Sequence, residues 1–148
     1  MNFRVILAAA AFGLAGLSAS ALAAPVPAAP AAAPHAAACI AALKAQEGEL
    51  AQSVKAGEPR EPVLLKVVRS GLAIIGTQYL AGVKEAEARE LLKAAEHDFQ
   101  ALPSAVAQAR QAACLKEGET LFAHASPIER SLITTAAQRR IRRLTASS

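Results

Sequence analysis

Apolar side chains recur every three or four positions along most of the chain, the spacing that places them on one face of an α-helix. The first such stretch lies between His35 and Gly57, and Gly57 is well placed to end that helix. Later stretches predict helices over about 63–81, 83–102 and 104–123. Pro62 suits the first turn of the second helix, and Pro103 ends the third.

The predicted inward faces differ in how clearly the pattern defines them. The second helix is apolar on most sides, which is typical of a central helix. The third has the cleanest division between apolar and charged positions. The faces are Ile40, Leu43, Leu50 and Val54 in the first helix; Leu64, Val68, Leu72, Ile75 and Tyr79 in the second; Ala88, Leu91, Leu92, Ala95, Phe99 and Leu102 in the third; and Val106, Ala109, Ala113, Leu121 and Phe122 in the fourth.

A fifth helix begins at the sequence "SPIE". Ser126 is the predicted N-cap, Pro127 the first helical residue and Glu129 the reciprocal partner in a capping box. At 100° per residue, the inward face of this helix consists of Ile133, Ala137, Ile141 and Leu144. Five helices with short links predict an all-α fold, a single small bundle of four to five helices spanning residues 36–148.

The N-terminus has the layout of a cleavable secretory signal over residues 1–23. Arg4 supplies the positive charge, an apolar run follows from Val5 to Leu17, and Ala21 and Ala23 are the small residues that a signal peptidase accepts. An uncleaved membrane anchor is the alternative. Residues 24–35, "APVPAAPAAAPH", contain four prolines and predict an extended linker without a core of its own.

Export changes the interpretation of the two cysteines. In an oxidising compartment, an even pair of cysteines is more often a disulfide than two free thiols. We therefore predict a structural Cys39–Cys114 bond that joins the first helix to the fourth.

Charge is segregated along the predicted mature chain. Residues 24–129 carry ten basic and twelve acidic residues, a formal charge of −2, whereas residues 130–148 carry +5. Arg139, Arg140, Arg142 and Arg143 lie within five positions. One or two cations are favoured by the dipole at a helix C-terminus, but four close together repel one another. The cluster is thus a candidate site for an anionic partner, with a solvated helix end as the alternative.

Motifs for catalysis or metal binding are weak. His35 and Cys39 have an i, i+4 spacing that could serve one metal ion, but a disulfide removes the thiolate. His97 and Asp98 are sequence neighbours, and Glu58 and Glu61 lie at an exposed-looking link. We expect no catalytic residues, no metal, no cofactor and no enzymatic activity.

Two local similarities bear on the fold. The tripeptide Glu-Gly-Glu occurs at 47–49 and at 117–119, which predicts either an acidic surface shared by the two bridged helices or simply two helices relaxed by glycine. Residues 72–96 resemble the tetratricopeptide consensus at Leu72, Ile75, Gly76, Tyr79, Ala88, Leu92 and Ala95. This resemblance implies a helical hairpin of a peptide-binding scaffold. No second copy occurs 34 residues away, so an ordinary αα-hairpin is the favoured interpretation.

These features favour a small exported, periplasmic or secreted, non-enzymatic binding or adaptor protein that contacts an anionic partner through its basic C-terminal helix. The partner is expected to be another protein, with an anionic membrane surface as an alternative, and nucleic acid is not expected. An inhibitor or immunity-type protein for a secreted enzyme fits the same features. The second helix is a poor membrane span because it carries Lys66 and Arg69.

Overall fold

The computed structural model describes residues 32–146, which form five α-helices and no strand. The helices are α1 (Ala33–Lys55), α2 (Glu61–Leu80), α3 (Glu85–Gln100), α4 (Ser104–His124) and α5 (Pro127–Thr145). The predicted all-α fold is confirmed. The predicted signal and linker residues 1–31 lie outside the described part of the chain, while linker residues 33–35 form the first turn of α1.

Helix ends agree closely with the sequence signals. The first helix stops just before Gly57, whose φ of 88° is a left-handed conformation that favours glycine. Gly82 has a φ of 82° and occupies the same position after α2. Pro103 precedes α4, and α5 begins at the predicted capping box.

Helix α1 lies at the centre of the bundle and contacts the other four helices. The prediction placed α2 there, but α2 contacts mainly α1, α4 and α5. Small side chains explain the difference, because alanine lets several neighbouring helices approach one backbone closely. Five alanines of α1 are buried, at positions 36, 37, 41, 42 and 51. The core that surrounds them includes Leu43, Leu50, Leu64, Val67, Val68 and Ile74.

The inward face of α4 agrees with the prediction only near the end of the helix, where Leu121 packs against the core. Val106, Ala109 and Ala113 are exposed, and the buried residues of this helix are Cys114 and Gly118. Two contacts determine which side of α4 faces the bundle. The Cys39–Cys114 disulfide joins it to α1, with Cα atoms 5.1 Å apart, and Gly118 lies directly against the backbone of Ser70 in α2.

Helix α3 has the clearest amphipathic sequence but is the least buried helix. None of its residues is fully buried, and its apolar face packs against α1 rather than on α2. Lys44 of α1 donates a hydrogen bond to Glu96 over 2.5 Å and joins the two helices at their surface. The prediction of an αα-hairpin of α2 and α3 is therefore wrong. After Gly82 the chain turns away from α2, and α3 packs against α1 instead.

Helix α2 is the one helix within residues 32–146 that is long and apolar enough, by length and composition, to cross a membrane. Helices that pack in the core of a bundle pass the same test. In this structure α2 packs against α1, α4 and α5, and Leu64, Val67 and Val68 are buried there.

Candidate functional site

The arginine cluster lies on the last two turns of α5, and the core holds this end of the helix in place. Ala137 and Ile141 are buried, and Leu144 packs against the core cluster. These residues lie on the inward face that the sequence predicted. The arginines are therefore carried by an anchored helix rather than by a loose tail.

Arg140 differs from the other three arginines because it is part of the bundle. Its Nε donates a hydrogen bond to Oε1 of Glu47 over 2.6 Å. Glu47 is a buried residue of α1, whereas the Arg140 side chain is 38% exposed. A buried carboxylate needs a charged or polar partner, and Arg140 supplies one. This arginine consequently links α5 to α1.

Arg139, Arg142 and Arg143 are exposed, and none of them forms an ion pair with another residue in the range 32–146. Two large apolar side chains precede them on the same outer side of α5. Ile128 is 74% exposed and Leu132 is 65% exposed. We call these five residues the outer stripe of α5. It is apolar near the start of the helix and basic near its end.

The start of α5 is fixed by the capping box that the sequence predicted. The Ser126 N–H donates to Oε2 of Glu129 over 2.7 Å, and the Glu129 N–H donates to Oγ of Ser126 over 3.3 Å. Hydrogen bonding of the Glu129 carboxylate with the Ser126 side chain, and then with the Ser126 backbone N–H, holds the pKa of Glu129 below its ordinary value. Arg130 Nη1 also donates to the Ala123 carbonyl oxygen, at 3.2 Å, which closes the α4–α5 corner. The cap therefore sets where the outer stripe begins.

A second group of polar side chains surrounds the disulfide. His35, four residues before Cys39, lies with its Nε2 atom 2.8 Å from Oε2 of Glu117 on α4. The Cys39 Sγ atom lies 3.8 Å from His35 Nε2 and 3.9 Å from Glu117 Oε2. The sequence indicated His35 and Cys39 but missed Glu117. The available signal was its spacing, because Glu117 follows Cys114 by three residues and therefore lies one helical turn away.

An apolar groove lies where α1, the end of α2 and the start of α3 meet. Its volume is about 670 Å³, within the range of small-molecule sites. The walls include Ala37 and Ile40 of α1, Ile75 and Tyr79 of α2, and Leu92 of α3. The sequence assigned Ile75 and Tyr79 to the core, but they are 45% and 80% exposed because α3 departs from α2.

The carboxylates considered for catalysis lie apart from these sites. Glu58 and Glu61 are both exposed at the link between α1 and α2. His97 Nδ1 is 3.7 Å from Asp98 Oδ1, and both side chains are largely exposed, at 87% and 77%. Neither pair is enclosed by other side chains, so neither has the sheltered environment in which burial tunes acid–base groups.

Comparisons of this chain with protein-family models, with curated proteins and with solved structures find no match.

Proposed function

We propose that this protein is a small exported helical binding protein, without enzymatic activity, that contacts an acidic surface of a partner protein through the outer stripe of α5. The observation that carries the proposal is the stripe itself. Two exposed apolar side chains near the start of α5 are followed, on the same side of the helix, by three exposed arginines at positions 139, 142 and 143. These arginines have no ion-pair partner within residues 32–146.

The order of apolar and basic residues favours a protein surface over a membrane. A helix that lies in a membrane interface buries a continuous apolar face along its length. The continuous apolar face of α5 already packs against the bundle, with Ala137 and Ile141 buried. Leu132 and Arg143 are eleven residues apart, about 16 Å along the helix. Protein interfaces combine such an apolar centre with arginine and a charged rim.

The disulfide supports export as the setting of this function. Cys39 and Cys114 have their sulfur atoms 2.06 Å apart. Disulfides of this kind persist in secreted and periplasmic proteins and are rare in reducing compartments. Together with the signal-like residues 1–23, the bond favours a periplasmic or secreted protein.

The test replaces Leu132, which lies on the same outer stripe as the arginines, by a photoreactive amino acid. The protein is then crosslinked in the cells that naturally produce it. We expect one discrete adduct that weakens as salt is raised, because exposed charges are screened. Changing Arg139, Arg142 and Arg143 together to glutamine should remove the adduct. Arg140 is left unchanged so that the link between α5 and α1 is kept.

The matched control removes the same charge elsewhere, by changing Lys55, Arg60 and Lys93 to glutamine, since all three are exposed. This variant should keep the adduct. An adduct that survives the arginine changes would refute the proposal. Salt-sensitive binding to phosphatidylglycerol vesicles, without any protein adduct, would instead indicate a peripheral membrane protein.

A further inference from the structure

The contact between α1 and α4 brings together four side chains of the types that commonly bind metal ions in proteins. His35 and Cys39 lie one turn apart on α1, and Cys114 and Glu117 lie one turn apart on α4. The two cysteines are buried, while the His35 and Glu117 side chains are 56% and 31% exposed. The sulfur atoms thus lie beneath a polar edge that is open to solvent.

The separations of these atoms approach those in a tetrahedral zinc site. Zinc binds sulfur at about 2.3 Å and nitrogen or oxygen at about 2.0–2.2 Å, so neighbouring ligand atoms lie about 3.4–3.8 Å apart. Cys39 Sγ is already 3.8 Å from His35 Nε2 and 3.9 Å from Glu117 Oε2. Two pairs have to move apart: His35 and Glu117, now hydrogen-bonded at 2.8 Å, and the two sulfur atoms, now bonded at 2.06 Å.

We propose that reduction of the Cys39–Cys114 disulfide converts this cluster into a zinc site with two thiolates, one imidazole and one carboxylate. A dithiol reductant supplies two electrons and two protons to the S–S bond, which becomes two thiols, while the dithiol is oxidised to a disulfide. Binding of Zn²⁺ then releases one proton from each thiol to solvent.

The disulfide and the metal are alternative crosslinks between the same two helices. In the disulfide form neither sulfur is a thiolate, so the cluster lacks the ligands that zinc prefers. In the reduced form the metal takes over the crosslink. The four donors stand on two regular helices, and such elements hold ligands more accurately than loops do. The redox state of this one pair therefore decides whether the protein binds zinc.

The experiment measures Zn²⁺ binding to the purified exported protein before and after reduction with a phosphine, using competition with a chromophoric chelator. We expect one equivalent of zinc to bind the reduced protein and none to bind the disulfide form with comparable affinity. Loss of a side chain that only orients a metal ligand weakens metal binding by about 10–100-fold. His35 and Glu117 are proposed to bind the metal directly, so we expect His35→Ala and Glu117→Gln to weaken zinc binding by at least about tenfold each. Cobalt in place of zinc should show a thiolate charge-transfer band.

Matched controls are His97→Ala, an exposed histidine on α3, and Glu119→Gln, whose carboxylate pairs with Lys66 instead. Both should bind zinc as the wild type does. The proposal fails if reduction does not increase the affinity for zinc, or if His35→Ala and Glu117→Gln bind zinc as tightly as the wild type.

Circular dichroism covers the case in which reduction unfolds the chain. Recovery of helix on adding zinc, in the wild type but not in His35→Ala, supports the site, and no recovery in the wild type overturns it.

Discussion

The same tripeptide, Glu-Gly-Glu, occupies two helices of this protein and meets two different environments. In α1, Gly48 is exposed, and a Cβ atom placed on it would meet nothing within 4 Å. In α4, Gly118 is buried, and the same atom would lie 2.6 Å from both the Cβ and the carbonyl oxygen of Ser70. Only Gly118 therefore permits the close approach of two helices.

The flanking glutamates separate in the same way. Glu47 is buried and accepts a hydrogen bond from Arg140, whereas Glu49 is exposed. Glu117 lies against His35, and Glu119 lies 2.8 Å from Lys66. The alternative of one acidic surface common to both tripeptides does not hold, because three of the four carboxylates form separate contacts between helices. A local motif thus acquires its role from the helix that packs against it.

Removing the disulfide should give the largest loss of stability, since it joins α1 to α4 beside the second tripeptide. We expect the Cys39→Ala, Cys114→Ala variant to lose about 2–5 kcal/mol in the free energy of unfolding, as native disulfides do in small exported domains. Urea denaturation of the oxidised wild type and the variant measures the difference. Equal midpoints would show that the surrounding contacts hold α4 without the bond.

The two glycines should respond to alanine with opposite signs. Gly118→Ala forces its methyl group against the α2 backbone, and overpacking of this kind costs about 1–3 kcal/mol. Gly48→Ala has open space and should stabilise α1 by about 0.5–1 kcal/mol, because alanine favours the helix. Thermal denaturation of both variants provides the comparison. Stabilisation by both changes would contradict the close contact at Ser70.

Arg140→Met tests the buried glutamate of the first tripeptide. It leaves Glu47 without its charged partner, and losing a hydrogen bond to a charged group costs about 1.5–3 kcal/mol. We expect a loss of about 1–2 kcal/mol, because the Arg140 side chain is 38% exposed and water replaces part of the contact. Arg139→Met is the control and should unfold at the wild-type urea concentration. Equal losses from the two changes would remove the distinction between these arginines.

The outermost glutamates should matter least. Glu119 pairs with Lys66 at the surface, where ion pairs contribute about 0–1 kcal/mol, so Glu119→Gln should destabilise the protein by about 0.5 kcal/mol or less. Glu49→Gln should have no measurable effect in the same chemical denaturation experiment. A larger loss from Glu49→Gln than from Glu119→Gln would reverse this order.

Glu129 provides a small pH-dependent effect outside both tripeptides. Hydrogen bonds with Ser126 lower its pKa in the folded protein below the ordinary value of 4.5. Its contribution to stability is therefore present above pH 4.5 and is lost as the pH falls through the lowered pKa. Denaturation of the wild type and Glu129→Gln between pH 7 and pH 3 should give a difference that shrinks towards the acid end. A constant difference would contradict this linkage.

The success of the sequence predictions followed the range of the interactions. The capping box of Ser126 and Glu129 was predicted in detail because all its atoms lie within one helical turn. The disulfide was predicted from the even number of cysteines and from the signal-like residues 1–23. The groove was missed because it depends on α3 packing against α1, a choice that the apolar face of α3 does not specify. Helical projection placed Arg140 at the flank of the other three arginines, but it could not predict the pairing with Glu47, which is 93 residues away.

The sequence by itself determined the five helices, their approximate ends, and the apolar inward face and basic C-terminal end of α5. Helix periodicity, capping and glycine or proline stops act over only a few residues. The tertiary structure decided which helix lies at the centre, which glycine lies at a close contact between helices and which charges are paired. Those outcomes depend on how closely two backbones approach and on which side chains then meet across the gap. Alanine-rich helices allow several such arrangements with similar local patterns, so only the complete set of contacts selects one of them.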